Sequence, residues 1–181
     1  MIAPEIPEAV RRRAGIVRLA AFDVDGTLTD GRLWFDGNGN ESKAFHVQDG
    51  LGLRLLEDHG IAVALITARD SAAVRARGKD LRLQHVFVGV KDKRACLEAL
   101  CGQLGVDMAE VAYLGDDLPD LSVFDHVGFA VATANAHAWV RESAHWITTR
   151  EGGQGAAREL CDLILEVRGL NAAVLARFIA P

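Results

Sequence analysis

Short apolar runs alternate with amphipathic stretches over most of the chain, the order expected of strands and helices wound into a parallel sheet covered on both faces. Ile16 to Val24, Ile61 to Ile66, Val86 to Val88 and Val111 to Leu114 carry the strand pattern, and Gly128 to Ala132 adds a fifth. All are rich in Val, Ile, Ala or Phe, as buried strands are. Between them the spacing predicts helices over Leu51 to His59, over Ser71 to Arg77 behind a capping Asp70, and over Lys93 to Leu104, stopped by Gly105. A further helix is predicted from Ala156 to Arg168, where Leu160, Leu163, Ile164 and Val167 share a face, after the flexible stretch Glu151-Gly152-Gly153-Gln154-Gly155. Asn135 to Ser143, with Trp139 and Val140, reads as a packed helix. The tail from Leu170 to Ile179 is amphipathic enough to dock on a partner subunit, with a fraying end as the alternative.

One segment breaks the alternation. Leu28 to Val47 holds Arg32-Leu33-Trp34-Phe35, the turn-rich Asp36-Gly37-Asn38-Gly39-Asn40, and Ala44-Phe45-His46-Val47, the signature of a β-hairpin projecting from the sheet. A lone two-stranded ribbon is marginal in water, so one carrying Trp34, Phe35 and Phe45 is expected to pack on another surface, a neighbouring subunit first of all.

A length of 181 residues leaves room for one α/β domain with modest extensions. Apolar residues make up 50% and charged ones 25%, the balance of a chain that buries a sizeable core. A net charge of −5 offers no broad cationic surface to neutralise phosphates, which argues against general nucleic-acid binding. Cys96, Cys101 and Cys161 form no Cys-x-x-Cys motif and read as reduced and buried. The apolar run after Arg11-Arg12-Arg13 is too short and too interrupted by Arg18 for a signal peptide or a membrane span, so the expected location is the cytoplasm.

Chemistry gathers where strands end. Phe22-Asp23-Val24-Asp25-Gly26-Thr27-Leu28-Thr29-Asp30 runs an apolar strand into two alternate carboxylates, the oxygen donors that a hard cation such as Mg²⁺ prefers. Alone, that stretch is equally well read as a polar strand end. Three further strand ends add to it: Thr67 closes the second run, Lys93 follows the third, and Asp116, Asp117 and Asp120 follow the fourth. In an open α/β sheet the carboxyl ends of the strands share one edge, so these residues can meet in one crevice. A hydroxyl, an ammonium and several carboxylates suit phosphoryl transfer, with a carboxylate able to attack phosphorus.

At these residues the sequence resembles the haloacid dehalogenase superfamily of phosphatases, whose four motifs stand in their usual order over Asp23 to Asp120. The resemblance implies a Rossmann-like doubly wound sheet, Asp23 as nucleophile and Asp25 as general acid and base. It places Mg²⁺ on the side chains of Asp23 and Asp116 and the backbone carbonyl of Asp25, and gives the phosphoryl group to Thr67 and Lys93, with Lys91 as the rival lysine. Asp117 and Asp120 support the site from behind. Signal-receiver domains use a similar inventory, but there the third strand is followed by the phosphorylated Asp, and here by lysines. The intervals between the motifs leave no room for a sizeable cap domain, so the site is expected to be open.

A finer resemblance extends over nearly the whole chain, to the capless, homotetrameric subgroup acting on 3-deoxy-D-manno-octulosonate 8-phosphate in making the lipopolysaccharide inner core. It rests on Leu28-Thr29-Asp30-Gly31, on Phe45 through Arg54, and on Gly152-Gly153-Gln154-Gly155-Ala156-Ala157-Arg158-Glu159. It implies that hairpins join subunits, that the C-terminal tail reaches a neighbour's site, and that His46, Val47, Gln48, Asp49, Gly50, Arg54, Arg69 and Arg77 line the sugar-acid pocket beside Lys93. Gln48 and Ala68 depart from the subgroup, which carries Arg and Gly there. A guanidinium fork does match a carboxylate bidentately. The alternatives are the same chemistry on an acylneuraminate or related nine-carbon 9-phosphate, and a non-catalytic oligomerising or regulatory module.

Overall fold

The strand runs fold where the pattern puts them, with shifted ends: the first keeps only Leu19–Phe22, the third starts early as His85–Phe87, and the fourth extends to Gly115. The computed structural model describes residues 6–179. Helix α1 (Glu8–Gly15) leads into β1 (Leu19–Phe22), and hairpin strands β2 (Trp34–Phe35) and β3 (Glu41–Ser42) precede α2 (Val47–Asp58). Next come β4 (Ala62–Ile66) with α3 (Ala72–Asp80), then β5 (His85–Phe87) with α4 (Lys93–Leu104). The chain continues through β6 (Val111–Gly115), the short α5 (Leu121–Phe124), β7 (Phe129–Ala132), α6 (Ala138–Ser143), β8 (Trp146–Ile147), α7 (Ala156–Val167) and α8 (Asn171–Ile179).

Six strands form one parallel sheet in the order β5-β4-β1-β6-β7-β8, with β1 paired to β4 on one side and β6 on the other. Because the strands are covered on both faces, alternation sorts their residues into two cores rather than into core and solvent. Ala20, Phe22, Val63, Leu65, Ala112 and Leu114 face one core, with residues of α1, α2 and α7. Leu19, Ala21, Ala64, Ile66, Val111 and Tyr113 face the other, with residues of α4, α5 and α6. Phe22, Tyr113 and Phe129 are fully buried, and truncating any of them to Ala is expected to cost about 3–5 kcal/mol.

After β1 the chain builds outward through β4 and β5, then returns to lay β6 on the opposite side of β1. That reversal opens a crevice above the carboxyl ends of β1 and β6, the place where such sheets bind ligands. Only the hairpin and α2 separate β1 from β4.

Several boundaries move. Helix α2 starts at Val47 rather than Leu51, so Val47 to Gly50 form its first turn. Ser71, not Asp70, occupies the cap position of α3, and Asp70 instead pairs with Arg75. The hairpin's return strand is Glu41–Ser42, opposite Phe35 and Trp34, instead of Ala44 to Val47. Trp139 is exposed while its neighbour Val140 is buried, so α6 packs by one face only. Cys101 and Cys161 are buried and Cys96 is half-buried; all three are free thiols. Helix α1 and strand β8, each tucked against longer elements, were too short or too charged to stand out in the sequence. No described helix is long and apolar enough to cross a membrane.

Candidate active site

Backbone pairing brings the acidic residues to one edge. The β1–β6 ladder continues past Phe22, where the Asp23 N–H donates to the Leu114 carbonyl at 2.9 Å. Asp23 therefore emerges beside the end of β6, where Asp116 follows Gly115. Single carboxylate oxygens of Asp23, Asp116 and Asp120 lie within 4.8 Å of one another. Lys93, in the first turn of α4, sends its buried Nζ to Asp23 Oδ1 at 2.6 Å and to Asp120 Oδ1 at 2.7 Å. Lys91 is exposed, and of the two lysines it is Lys93 that meets the carboxylates.

Asp120 is a support. Its Oδ1 also accepts from the Tyr113 hydroxyl at 2.9 Å, and its Oδ2 accepts from the N–H groups of Asp116 and Asp117 at 3.0 and 3.2 Å. Both oxygens are thus occupied, and those left for a ligand belong to Asp23 and Asp116. Asp117 is exposed and begins the turn over Leu118–Asp120 that carries Asp120 inward.

The electrostatics are strained by like charge. Burial, with Asp120 adding to it and Lys93 opposing, drives the Asp23 carboxyl well above its ordinary pKa. Burial likewise raises Asp116 to about 6 against the pull of Thr27, whose hydroxyl donates to its Oδ1 at 2.9 Å. Burial disfavours the charge on Lys93, yet Asp23 and Asp120 outweigh that and lift its pKa. One ammonium among three carboxylates leaves net negative charge in a dry place, which a divalent cation offsets. The donor set is all oxygen, as Mg²⁺ requires, with two carboxylates at hand in the manner of a site that leaves room for waters and phosphate oxygens.

Asp25 lies in a second group of contacts. Its Oδ2 accepts from the Thr67 hydroxyl, at the end of β4, at 3.2 Å, and Lys43 pairs with its Oδ1. The Lys43 ammonium also meets Glu41 at 3.0 Å, and Glu41 accepts from Arg69 at 2.6 Å and Ser71 at 2.8 Å. Desolvation would raise the Glu41 carboxyl, but Arg69, Lys43 and Ser71 hold it down at about 2. The base of the hairpin is thereby wired to Asp25. Lys43, Glu41, Ser71, Thr27 and Tyr113 escaped the sequence reasoning. Glu41 and Lys43 carried a signal, two opposite charges on alternate positions of the hairpin's return arm.

The expected sugar pocket is only partly assembled. Arg69 is held by Glu41, while Arg77 reaches across to the His46 carbonyl at 3.5 Å, lies over the Phe45 ring and pairs with Asp80 at 2.7 Å. Gly50 packs against Arg77. Asp49 is buried and its Oδ1 accepts from the Arg158 N–H of α7 at 2.7 Å, which makes it a cap between helices. Arg54 binds the Leu81 carbonyl and Asp58, each at 3.1 Å. Val47 is exposed. Gln48 lines a different cavity, of about 780 Å³, with Trp146, Arg158 and Glu159. The structure thus unites Asp23, Asp116, Asp120 and Lys93, joins Asp25 to Thr67, and leaves Gln48 and Arg54 in other company.

A family model for haloacid dehalogenase-like hydrolases matches residues 86–160. With a parallel sheet whose strand ends gather aspartates, a lysine and a threonine, and with the relatives that follow, that match places the chain among hydrolases of the haloacid dehalogenase type. The 3-deoxy-D-manno-octulosonate 8-phosphate phosphatase of Yersinia pestis is 41% identical over 160 residues, covering 88% of this chain and 86% of the relative. A hypothetical protein of Xanthomonas campestris, 53% identical, superposes with a TM-score of 0.95 over 98% of this chain and 97% of that one. The 3-deoxy-D-manno-octulosonate 8-phosphate phosphatase of Moraxella catarrhalis, solved with magnesium ion, phosphate ion and KDO, superposes with a TM-score of 0.90 at 43% identity, over 93% and 97%. This chain belongs to the family of 3-deoxy-D-manno-octulosonate 8-phosphate phosphatases.

Proposed function

We propose that the protein hydrolyses 3-deoxy-D-manno-octulosonate 8-phosphate to 3-deoxy-D-manno-octulosonate and inorganic phosphate through an aspartyl-phosphate. The observation that carries this reading is the buried Lys93 ammonium bridging Asp23 and Asp120 beside Asp116. Such a constellation is built for phosphate charge, and relatives of the same name cover most of the chain.

An Asp23 oxygen attacks phosphorus as the bond from phosphorus to the sugar oxygen breaks, and Asp25 delivers its proton to that leaving oxygen. Asp25 then takes a proton from a water that attacks the same phosphorus, and the bond to Asp23 breaks to release phosphate. Lys93 and Thr67 hold phosphoryl oxygens, Lys93 offsetting their charge and Thr67 donating a hydrogen bond. Asp23, Asp116 and the Asp25 carbonyl would hold Mg²⁺, which would supply charge neutralisation and orientation of the phosphoryl group. Lys43 fixes the direction of the Asp25 carboxyl, and Thr67, which has a single hydroxyl proton, gives it to Asp25 until a bound phosphoryl oxygen takes that place.

Arg69 and Arg77, with the His46 to Gly50 turn, are the groups best suited to a sugar carboxylate and its hydroxyls. The open, capless crevice, the exposed Trp34 and Phe35 of the hairpin and the exposed Leu175, Phe178 and Ile179 of α8 fit a homotetramer in which neighbours cover the site. The expected setting is the cytoplasm, in the lipopolysaccharide pathway. A phosphate-release screen over eight-carbon and nine-carbon sugar-acid phosphates, with and without Mg²⁺, tests the assignment. Fastest metal-dependent release from the eight-carbon 8-phosphate is expected; preference for a nine-carbon 9-phosphate would reassign the substrate, and no release from any would overturn the enzyme.

A further inference from the structure

Three loops meet behind Asp116, and two glycines sit at their junction. A Cβ placed on Gly152 would fall 1.7 Å from the Gly26 carbonyl oxygen and 3.2 Å from the Thr27 Cα. One placed on Gly153, whose φ is +67°, would fall 2.4 Å from the Thr29 carbonyl carbon and 2.5 Å from the Asp30 nitrogen. Both glycines therefore lie flat against the turn that follows Asp25, at a distance no side chain permits. The Gly153 N–H donates to the Thr27 carbonyl at 3.0 Å, and the Gly152 N–H donates to Asn135 Oδ1 at 3.0 Å.

Those two hydrogen bonds lead to Asp116 by separate routes. Through the turn, the Thr27 hydroxyl donates to Asp116 Oδ1 at 2.9 Å, and Gly26 stands so close that a Cβ there would lie 2.1 Å from Asp116 Oδ2. Through the other loop, Asn135 is followed by His137, whose N–H donates to the Asp116 carbonyl at 2.8 Å. The glycine segment cannot simply recede. Downstream, the Arg158 N–H is held by Asp49 at 2.7 Å, and upstream the Glu159 carboxylate accepts from the Thr149 and Arg150 N–H groups at 3.0 Å.

We propose that Gly152 and Gly153 are positioning residues for the metal site: their backbone contact sets the depth of the Gly26–Thr29 turn, and so the place where Asp116 presents its oxygen toward Asp23. This rests on the reading of Asp23 and Asp116 as the Mg²⁺ ligands. Neither glycine reaches the reacting atoms; both act through Thr27 and Asn135.

Calorimetric titration of Mg²⁺ into the whole protein tests it, with wild type, Gly152→Ala, Asn135→Ala, Thr27→Val and Gly105→Ala compared. Gly105 ends α4 with φ +62° and open space around it, so its substitution strains the backbone far from these loops and controls for general destabilisation. Gly152→Ala is expected to weaken Mg²⁺ binding roughly 10- to 100-fold, the range for partners that orient metal ligands, with Asn135→Ala and Thr27→Val weaker in the same direction. Gly105→Ala is expected to melt earlier yet bind Mg²⁺ as wild type does. An unchanged Mg²⁺ affinity in a cooperatively melting Gly152→Ala protein, or an equal loss in Gly105→Ala, overturns the proposal. If Gly152→Ala does not fold, unchanged affinity in both Asn135→Ala and Thr27→Val overturns it. A wild type that fails to bind Mg²⁺ removes the ligand reading itself, whereas one that binds it no better than Gly152→Ala removes only the role of the glycines.

Discussion

Two halves of the active site hold charge in opposite ways. Around Asp23 the carboxylates of Asp23 and Asp120 and the Lys93 ammonium are buried, and every pairing is short and internal. At the hairpin base, Glu41 and Arg69 pair within reach of solvent, with the Arg69 side chain 41% exposed. The first arrangement raises carboxylate pKa values, costs stability and suits a reaction in which charge develops at fixed positions. The second pairs each charge with an opposite partner and is screened by water only along its Arg69 edge, which suits recognition. The contrast teaches where the fold concentrates rigidity: at the strand-end cluster, and less at the hairpin base.

The largest test of that contrast is Asp23→Asn. It is expected to lower Mg²⁺-dependent phosphate release by at least about a thousandfold, as loss of a covalent nucleophile does, while the fold persists because the substitution removes charge from a crowded cluster. Normal turnover in this variant would end the nucleophile assignment. Next comes Lys43→Met, at the seam between the halves. A loss of roughly a hundredfold is expected with an alkyl phosphate, whose leaving oxygen needs a proton, and a smaller loss with an aryl phosphate, whose leaving group does not. Equal losses on both would show that Lys43 does not orient the proton donor.

Glu41→Gln frees Arg69 and leaves the Asp23, Asp116, Asp120 and Lys93 contacts intact, reaching Asp25 only through Lys43. A change of about tenfold in KM with kcat nearly kept is expected, and a fall in kcat alone would place Glu41 in the rigid half instead. The smallest effect is thermal. The Asp116 pKa is raised to about 6 from an ordinary 3.8, so in metal-free protein this group's contribution to stability is complete below about pH 4 and is lost as pH rises through about 6. Mg²⁺ binds the ionised form, so saturating-range Mg²⁺ is expected to raise the melting temperature more at pH 7.5 than at pH 5, by roughly 3–5 °C. A larger rise at pH 5 would contradict the sign.

The same division explains what was readable in the sequence. Strand-end chemistry is dictated by local pattern and chain order, so Asp23, Asp25, Thr67, Lys93 and Asp116 could be picked out before any coordinates. Lys93–Leu104 was legible to the residue, since Asp92 caps its start and Gly105 its end. Partner choice among surface charges is a matter of three-dimensional neighbourhood, which the sequence alone does not specify. Arg54 turned to Leu81 and Asp58, Gln48 to another cavity, and Lys43 went unnoticed. Two-residue strands such as β8 carry no periodicity to read, and the early start of α2 was hidden by Gly50 and Gly52, which pack against Arg77 and Cys161 instead of breaking the helix.

The flanks of the sheet have a bearing on how the molecule keeps to itself in a crowded cell. β5 offers three residues and β8 two, so each border exposes few unsatisfied amides to a passing strand. Unwanted ribbon-to-ribbon growth toward fibres finds almost no template there, and side-chain surfaces are left to govern association. A designer who lengthened either border to stiffen the domain would surrender that protection.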